Sequence, residues 1–173
     1  MRWANSKSNA TTPVRKTAYE KEIANGKGPR LYTSTGELVA PDLFAMRGAS
    51  TKWIEAKHKS VWTWRGVGGY WEDGIDLPHY RDYVRVAEQT EWPVWLLFLH
   101  TNSVPARCDR ERWPDCPAAC PTGLFGGDVL TLQRSARIDE TPRFEHPHGM
   151  AYWKQSDLRL LVTLDQFQQG LQK

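Results

Sequence analysis

Pro41-Asp42 opens the apolar run Leu43-Phe44-Ala45-Met46, and a short polar, glycine-bearing connection then leads to Trp53-Ile54-Glu55-Ala56-Lys57. The fold turns on how this stretch is read. Successive side chains along a β-strand point to opposite faces. A strand over 53–58 therefore puts Trp53, Glu55 and Lys57 on one face and Ile54, Ala56 and His58 on the other. Asp42 stands at the start of the neighbouring strand. Two carboxylates on adjacent strands, with a lysine one strand repeat beyond the second, suit a hard divalent cation and a reacting phosphate. Carboxylate oxygens ligate Mg²⁺, which typically keeps several waters. The lysine can orient or help deprotonate a water, or offset charge developing on phosphorus.

Upstream, residues 1–12 are polar and small and predict disorder. Thr12 as N-cap and Pro13 in the first turn predict a helix to about Asn25, stopped at Asn25-Gly26. Pro29 to Ala40 reads as a hairpin around Ser34-Thr35-Gly36-Glu37. Downstream, residues 61–73 alternate tryptophan with polar residues or glycine, a further strand or extended arm. Asp76-Leu77-Pro78 opens a helix with Asp76 as cap, and Tyr80, Tyr83, Val84 and Ala87 form its apolar face. Pro93 excludes continuation, and Val94 to Leu99 reads as a strand buried on both faces.

Residues 101–127 have no periodicity, and a loop this long is usually functional or metal-stabilised. Gly123-Leu124-Phe125-Gly126-Gly127 reads as a tight turn, since it lacks the lysine and hydroxyl of a phosphate-binding loop. Asp128 to Leu132 predicts a short strand, 134–149 is irregular, and Ser156 caps a final helix over 156–170. The organisation is then one domain over 13–173, with a core at 13–100, a loop-rich extension at 101–155 and that helix.

With 173 residues the chain can bury a proper core without staples. A net charge of +3 is compatible with nucleic acid without arguing for it. The local pattern says more: Arg47, Lys52, Lys57, Lys59 and Arg65 bracket Glu55. Trp62, Trp64 and Trp71 are core anchors on the plainer reading and contacts to a base or sugar on the other. The N-terminus has no apolar segment of a secretory signal, and the longest apolar run falls short of a membrane span. Three cysteines, an odd number, predict reduced thiols and a cytoplasmic setting. Cys108, Cys116 and Cys120, with His146 and His148, have the ligand types of a structural Zn²⁺ site but no Cys-x2-Cys pair, so buried cysteines are the better reading. His58 is a surface histidine at a strand end, with a phosphate contact as the alternative.

Helix, hairpin, Asp-bearing strand, Glu-x-Lys strand, helix and buried strand, in that order, resemble the PD-(D/E)XK nuclease superfamily. This is the restriction-endonuclease-like fold also used by Holliday-junction resolvases and phage-type exonucleases. The resemblance covers roughly residues 13–100: Pro41-Asp42 matches the "PD" and Glu55-Ala56-Lys57 the "(D/E)-x-K". It implies an α/β fold with a central mixed β-sheet flanked by helices, followed here by an irregular C-terminal extension. It also implies hydrolysis of phosphodiester bonds in DNA with Mg²⁺ or Mn²⁺, and a homodimer when two strands are cut. Asp42, Glu55 and the Ala56 carbonyl would hold the metal, and Lys57 would act on water and phosphate. A glutamate of the first helix joins the site in many members, which points to Glu20, with Glu22 beside it. Two other readings stand: a non-catalytic nucleic-acid-binding module of the same fold, and a small zinc-binding interaction protein built around 108–148.

Overall fold

A computed structural model describes residues 15–16, 29–34, 36–105 and 108–171. In chain order these form β1 (Arg15–Lys16), β2 (Arg30–Thr33), β3 (Gly36–Val39), β4 (Leu43–Arg47), β5 (Ser50–Lys59), β6 (Thr63–Arg65) and β7 (Tyr70–Asp76). Helix α1 (Leu77–Thr90) and β8 (Val94–His100) follow, then β9 (Gly123–Asp128), α2 (Val129–Leu132), β10 (Arg137–Asp139) and β11 (Met150–Lys154). A 3-10 turn (Gln155–Asp157), β12 (Arg159–Val162) and α3 (Leu164–Leu171) complete the chain.

The architecture is mixed α/β around a central mixed sheet of order β1-β4-β5-β8-β9-β12. Its β5–β8 pair is parallel and its other pairs are antiparallel. Parallel neighbours need a crossover rather than a tight turn, and β6, β7 and α1 supply it. A second sheet, β10-β11-β7-β6, is antiparallel throughout, and β2–β3 is a separate hairpin. The core lies between the two sheets and α1. Leu77, Tyr80, Tyr83, Val84, Val86 and Ala87 are the buried face of α1. Trp153 of β11 packs edge-on against Tyr80 and tilted against Phe98 of β8, so the second sheet closes over the same core.

Several sequence expectations are corrected. Arg15–Lys16 is a strand antiparallel to Phe44 and Leu43, not helix; the rest of the expected first helix lies outside the described residues. β8 buries Val94, Leu96, Phe98 and His100 but leaves Trp95, Leu97 and Leu99 half-buried, so its two faces differ. Gly123–Gly127 is strand β9, not a turn: Gly126 lies 2.5 Å, measured from where a Cβ would stand, from the Leu96 carbonyl. Glycine there permits the close approach of backbone that a side chain would block. Residues 129–132 are helical because the Asp128 carboxylate accepts the amides of Leu130 and Thr131.

The single C-terminal helix over 156–170 is replaced by the 3-10 turn, β12 and a shorter α3. Residues 101–155 are less irregular than expected, since β9 joins the first sheet and β10 and β11 the second. Cys108 and Cys116 are joined in a disulfide, with Cα atoms 6.5 Å apart, which corrects the reading of reduced thiols. The buried Cys120 donates its thiol to the Asn102 carbonyl. Among the described residues no helix is long and apolar enough to cross a membrane.

Candidate active site

The site forms where β4 leaves β5. Their ladder runs from Arg47–Ser50 to Leu43–Ile54 and stops there. Beyond the fork, side chains replace backbone pairing. The Ala56 amide donates to Asp42 Oδ2 at 3.2 Å, and the Asp42 amide donates to Glu55 Oε2 at 3.2 Å. The N–H and C=O of one strand residue point to the same side, so the Ala56 carbonyl also opens on the fork.

Lys57 Nζ lies 2.5 Å from Glu55 Oε1. Strand alternation places Trp53, Glu55 and Lys57 on the core side, with Glu55 only 1% exposed. Burial pushes the Glu55 carboxyl up, against the pull of the Lys57 ammonium, and the Asp42 charge pushes it further up. A hydrogen bond from the Tyr83 side chain opposes that rise. Burial pulls Lys57 down, but Glu55, Asp42 and Asp76 outweigh it and leave the ammonium above the ordinary lysine value. Burial is the first cause of the Glu55 rise, with Asp42 adding to it, and the surrounding carboxylates are the cause of the Lys57 rise. The donors there, two carboxylates and a main-chain carbonyl, are the hard oxygens that Mg²⁺ or Mn²⁺ takes. The residues fit such an ion.

Asp42, Glu55, Ala56 and Lys57 thus meet at one place, while Glu20 and Glu22 lie outside the described residues. His58 points to the other face and contacts the Thr101 hydroxyl at 3.2 Å. Lys52 is also on that face, over the Trp95 ring at 5.3 Å. Arg65 faces Glu72 at 3.8 Å, and Lys59 faces Asp73 at 3.5 Å. The cluster of cations seen in the sequence is thereby dispersed. Zinc ligation finds no set of side chains in the described residues: Cys108 and Cys116 bond to each other, and His146 Nδ1 pairs with Asp76 Oδ1 at 2.6 Å. That pair also explains why Asp76 occupies the N-cap of α1 without capping it. Trp62 and Trp71 are buried, Trp62 at 0% exposure with its indole N–H on the Pro121 carbonyl, which is the core reading for both.

Sequence reasoning missed Tyr83, Asp76 and His146. Tyr83 was legible as part of an apolar helix face, but nothing local showed its side chain reaching Glu55. Asp76 and His146 are 70 residues apart and meet only because β7 and β11 pair.

No protein-family model and no curated protein matches the chain. Among solved structures it is similar to the Holliday junction resolvase Hjc of the archaeal hyperthermophile Archaeoglobus fulgidus. The identity is 11%, over 79% of this chain and 78% of that one, with a TM-score of 0.37. A likeness that slight carries no function, and the assignment rests on the fork itself.

Proposed function

We propose that the chain is a Mg²⁺- or Mn²⁺-dependent nuclease that hydrolyses phosphodiester bonds in DNA. One observation carries the reading: Asp42 and Glu55 are hydrogen-bonded across the β4–β5 fork with Lys57 on the same acid. A surface rim pair of glutamate and lysine would not be buried with a second acid. Asp42, Glu55 and the Ala56 carbonyl would hold the ion. When bound, the metal acidifies water and polarises the phosphoryl group.

The chain's own residues do the rest. Asp42 fixes the Ala56 amide, and so the direction of the Ala56 carbonyl. The Asp42 amide and Tyr83 hold the Glu55 carboxylate in orientation. Lys57, kept charged by the acids around it, positions the attacking water and offsets charge gathering on the phosphate oxygens. The half-exposed ammonium faces where a strand would lie, and the buried Glu55 keeps bulk water from one side of the reacting group.

The test is hydrolysis of supercoiled, linear and branched DNA by the whole chain, with Mg²⁺, with Mn²⁺ and with EDTA. Cleavage in metal, its loss in EDTA and its loss in Glu55→Gln are expected. Cleavage that persists equally in EDTA would sink the reading. Binding without any cleavage would favour the non-catalytic module.

A further inference from the structure

The chain that delivers Asp42 to the fork is held from two sides. On one side the β2–β3 hairpin continues past its ladder, with the Ala40 amide donating to the Pro29 carbonyl at 2.8 Å. On the other, the Val39 amide donates to Asp82 Oδ2 of α1 at 2.9 Å. Leu38 is fully buried, and Ala40 and Pro41 are buried after it. The Pro41 ring fixes one more torsion. Little backbone freedom is then left between the held amide of Val39 and Asp42.

The residue after Asp82 on α1 is Tyr83, whose side chain hydrogen-bonds Glu55. Consecutive residues stand about 100° apart around a helix axis, so the two side chains reach different strands. Tyr83 steadies the Glu55 carboxylate, while Asp82 steadies the segment that leads to Asp42. The two acids repel, since the Asp42 charge raises Glu55. Their frame must resist that repulsion before any ion arrives. Asp82 Oδ1 also has Arg85 Nη1 at 3.5 Å, on the same helix and half-exposed. Such a pair contributes little, and only the bond to Val39 crosses from the helix to the hairpin.

We propose that Asp82 is a positioning residue of the nuclease site. By holding the Val39 amide it fixes how β3 leads into β4, and so where the Asp42 carboxylate stands before a metal binds. This rests on the nuclease reading above and adds to it a residue that touches neither ion nor substrate. Ligands set in place beforehand bind more tightly, because less ordering is left to the binding step. Partners behind a metal ligand typically contribute about 10- to 100-fold in affinity or activity.

The experiment is Mn²⁺ calorimetry on the full chain, with DNA cleavage across a Mn²⁺ series and urea denaturation in EDTA beside it. Alanine suits a helix interior, and the urea curve checks that Asp82→Ala is folded. Asp82→Ala is expected to bind Mn²⁺ about 10- to 100-fold more weakly at unchanged stoichiometry. Saturating Mn²⁺ should return its turnover close to wild type, because the bound ion draws Asp42 back into place. Asp82→Asn keeps an oxygen for the Val39 amide and should recover most of the affinity. Arg85→Ala removes only the ion pair and should match wild type. The proposal is overturned if Asp82→Ala binds Mn²⁺ as tightly as wild type, or if folded Asp82→Asn is as weak as Asp82→Ala. A lowered stoichiometry at unchanged affinity, the mark of a partly unfolded population, overturns it too. In these three cases the nuclease reading stands as long as wild type cleaves. Wild-type chain that cleaves no DNA in Mn²⁺ overturns the nuclease reading itself, whatever the variants do.

Discussion

Strand β5 carries two lysines on one face, one strand repeat apart, and each meets a buried acid of its own. At the fork, Glu55 and Asp42, with Asp76 near, surround the Lys57 ammonium. One repeat on, Asp73 stands between Lys59 at 3.5 Å and His100 at 3.2 Å. His100 is fully buried and stacked on Trp62, ring centres 3.8 Å apart and planes 7° from parallel. The two clusters use nearly the same residue types and differ in their sum of charge. The fork has surplus carboxylate, and a buried surplus draws in a cation or a proton. The second cluster has one carboxylate between one ammonium and one imidazole, which ties β7 of the second sheet to β5 and β8 of the first. Proximity and residue type do not separate a site from a structural tie here; the balance of charge does.

The largest effect belongs to the surplus acids. Asp42→Ala or Glu55→Ala should lower turnover by at least about three orders of magnitude, since each removes an oxygen ligand. Single-turnover cleavage checks it, alongside the melting temperature. An unfolded Asp42→Ala with unchanged activity per folded molecule would reassign Asp42 to structure and erase the contrast between the clusters.

Lys57→Ala comes next. Turnover should fall roughly 10²- to 10⁴-fold, on the scale of a group that handles protons or charge in the transition state. Mn²⁺ binding, followed by calorimetry, should persist. Loss of metal binding instead would show that the lysine organises the acids rather than acting on water and phosphate.

The second cluster should answer in stability and not in chemistry. Asp73→Ala leaves Lys59 and the buried His100 without their acid, at a cost of about 3 kcal/mol. Urea denaturation measures it, and turnover per folded molecule should stay near wild type. A stable Asp73→Ala with lost activity would move this cluster into the site.

The smallest effect concerns pH. Glu55 holds its proton more tightly in the folded chain than at the usual 4.5, because burial and Asp42 outweigh Lys57. The folded state therefore binds more protons across the interval above 4.5, and metal-free stability falls as pH climbs through it. In EDTA at neutral pH, Glu55→Gln should be more stable than wild type by about 0.5–2 kcal/mol and should lack this slope. Mg²⁺ should restore wild-type stability at the upper end and bind more weakly as pH falls. Matching pH curves for the two proteins would mean that the fork holds no surplus charge.

The sequence by itself determined the strands that build the fork. Alternation along 53–58 is a local rule, so the shared face of Trp53, Glu55 and Lys57 followed from spacing alone, as did the buried face of α1 and the stop at Pro93. Local rules also reached the β2–β3 hairpin through its glycine turn. They failed where long-range pairing outweighed local preference: Arg15–Lys16 bonding to β4, Gly123–Asp128 completing the first sheet, and β12 taking the place of a helix. Tertiary structure alone decided which charges from β7 and β8 join those of β5. Lys57 was marked in the sequence by Glu55 one strand repeat before it, but no spacing reveals that β7 brings Asp73 to Lys59 and Asp76 toward Lys57. Electrostatics acts through space, so the charge balance that separates the two clusters exists only after the sheets have closed on each other.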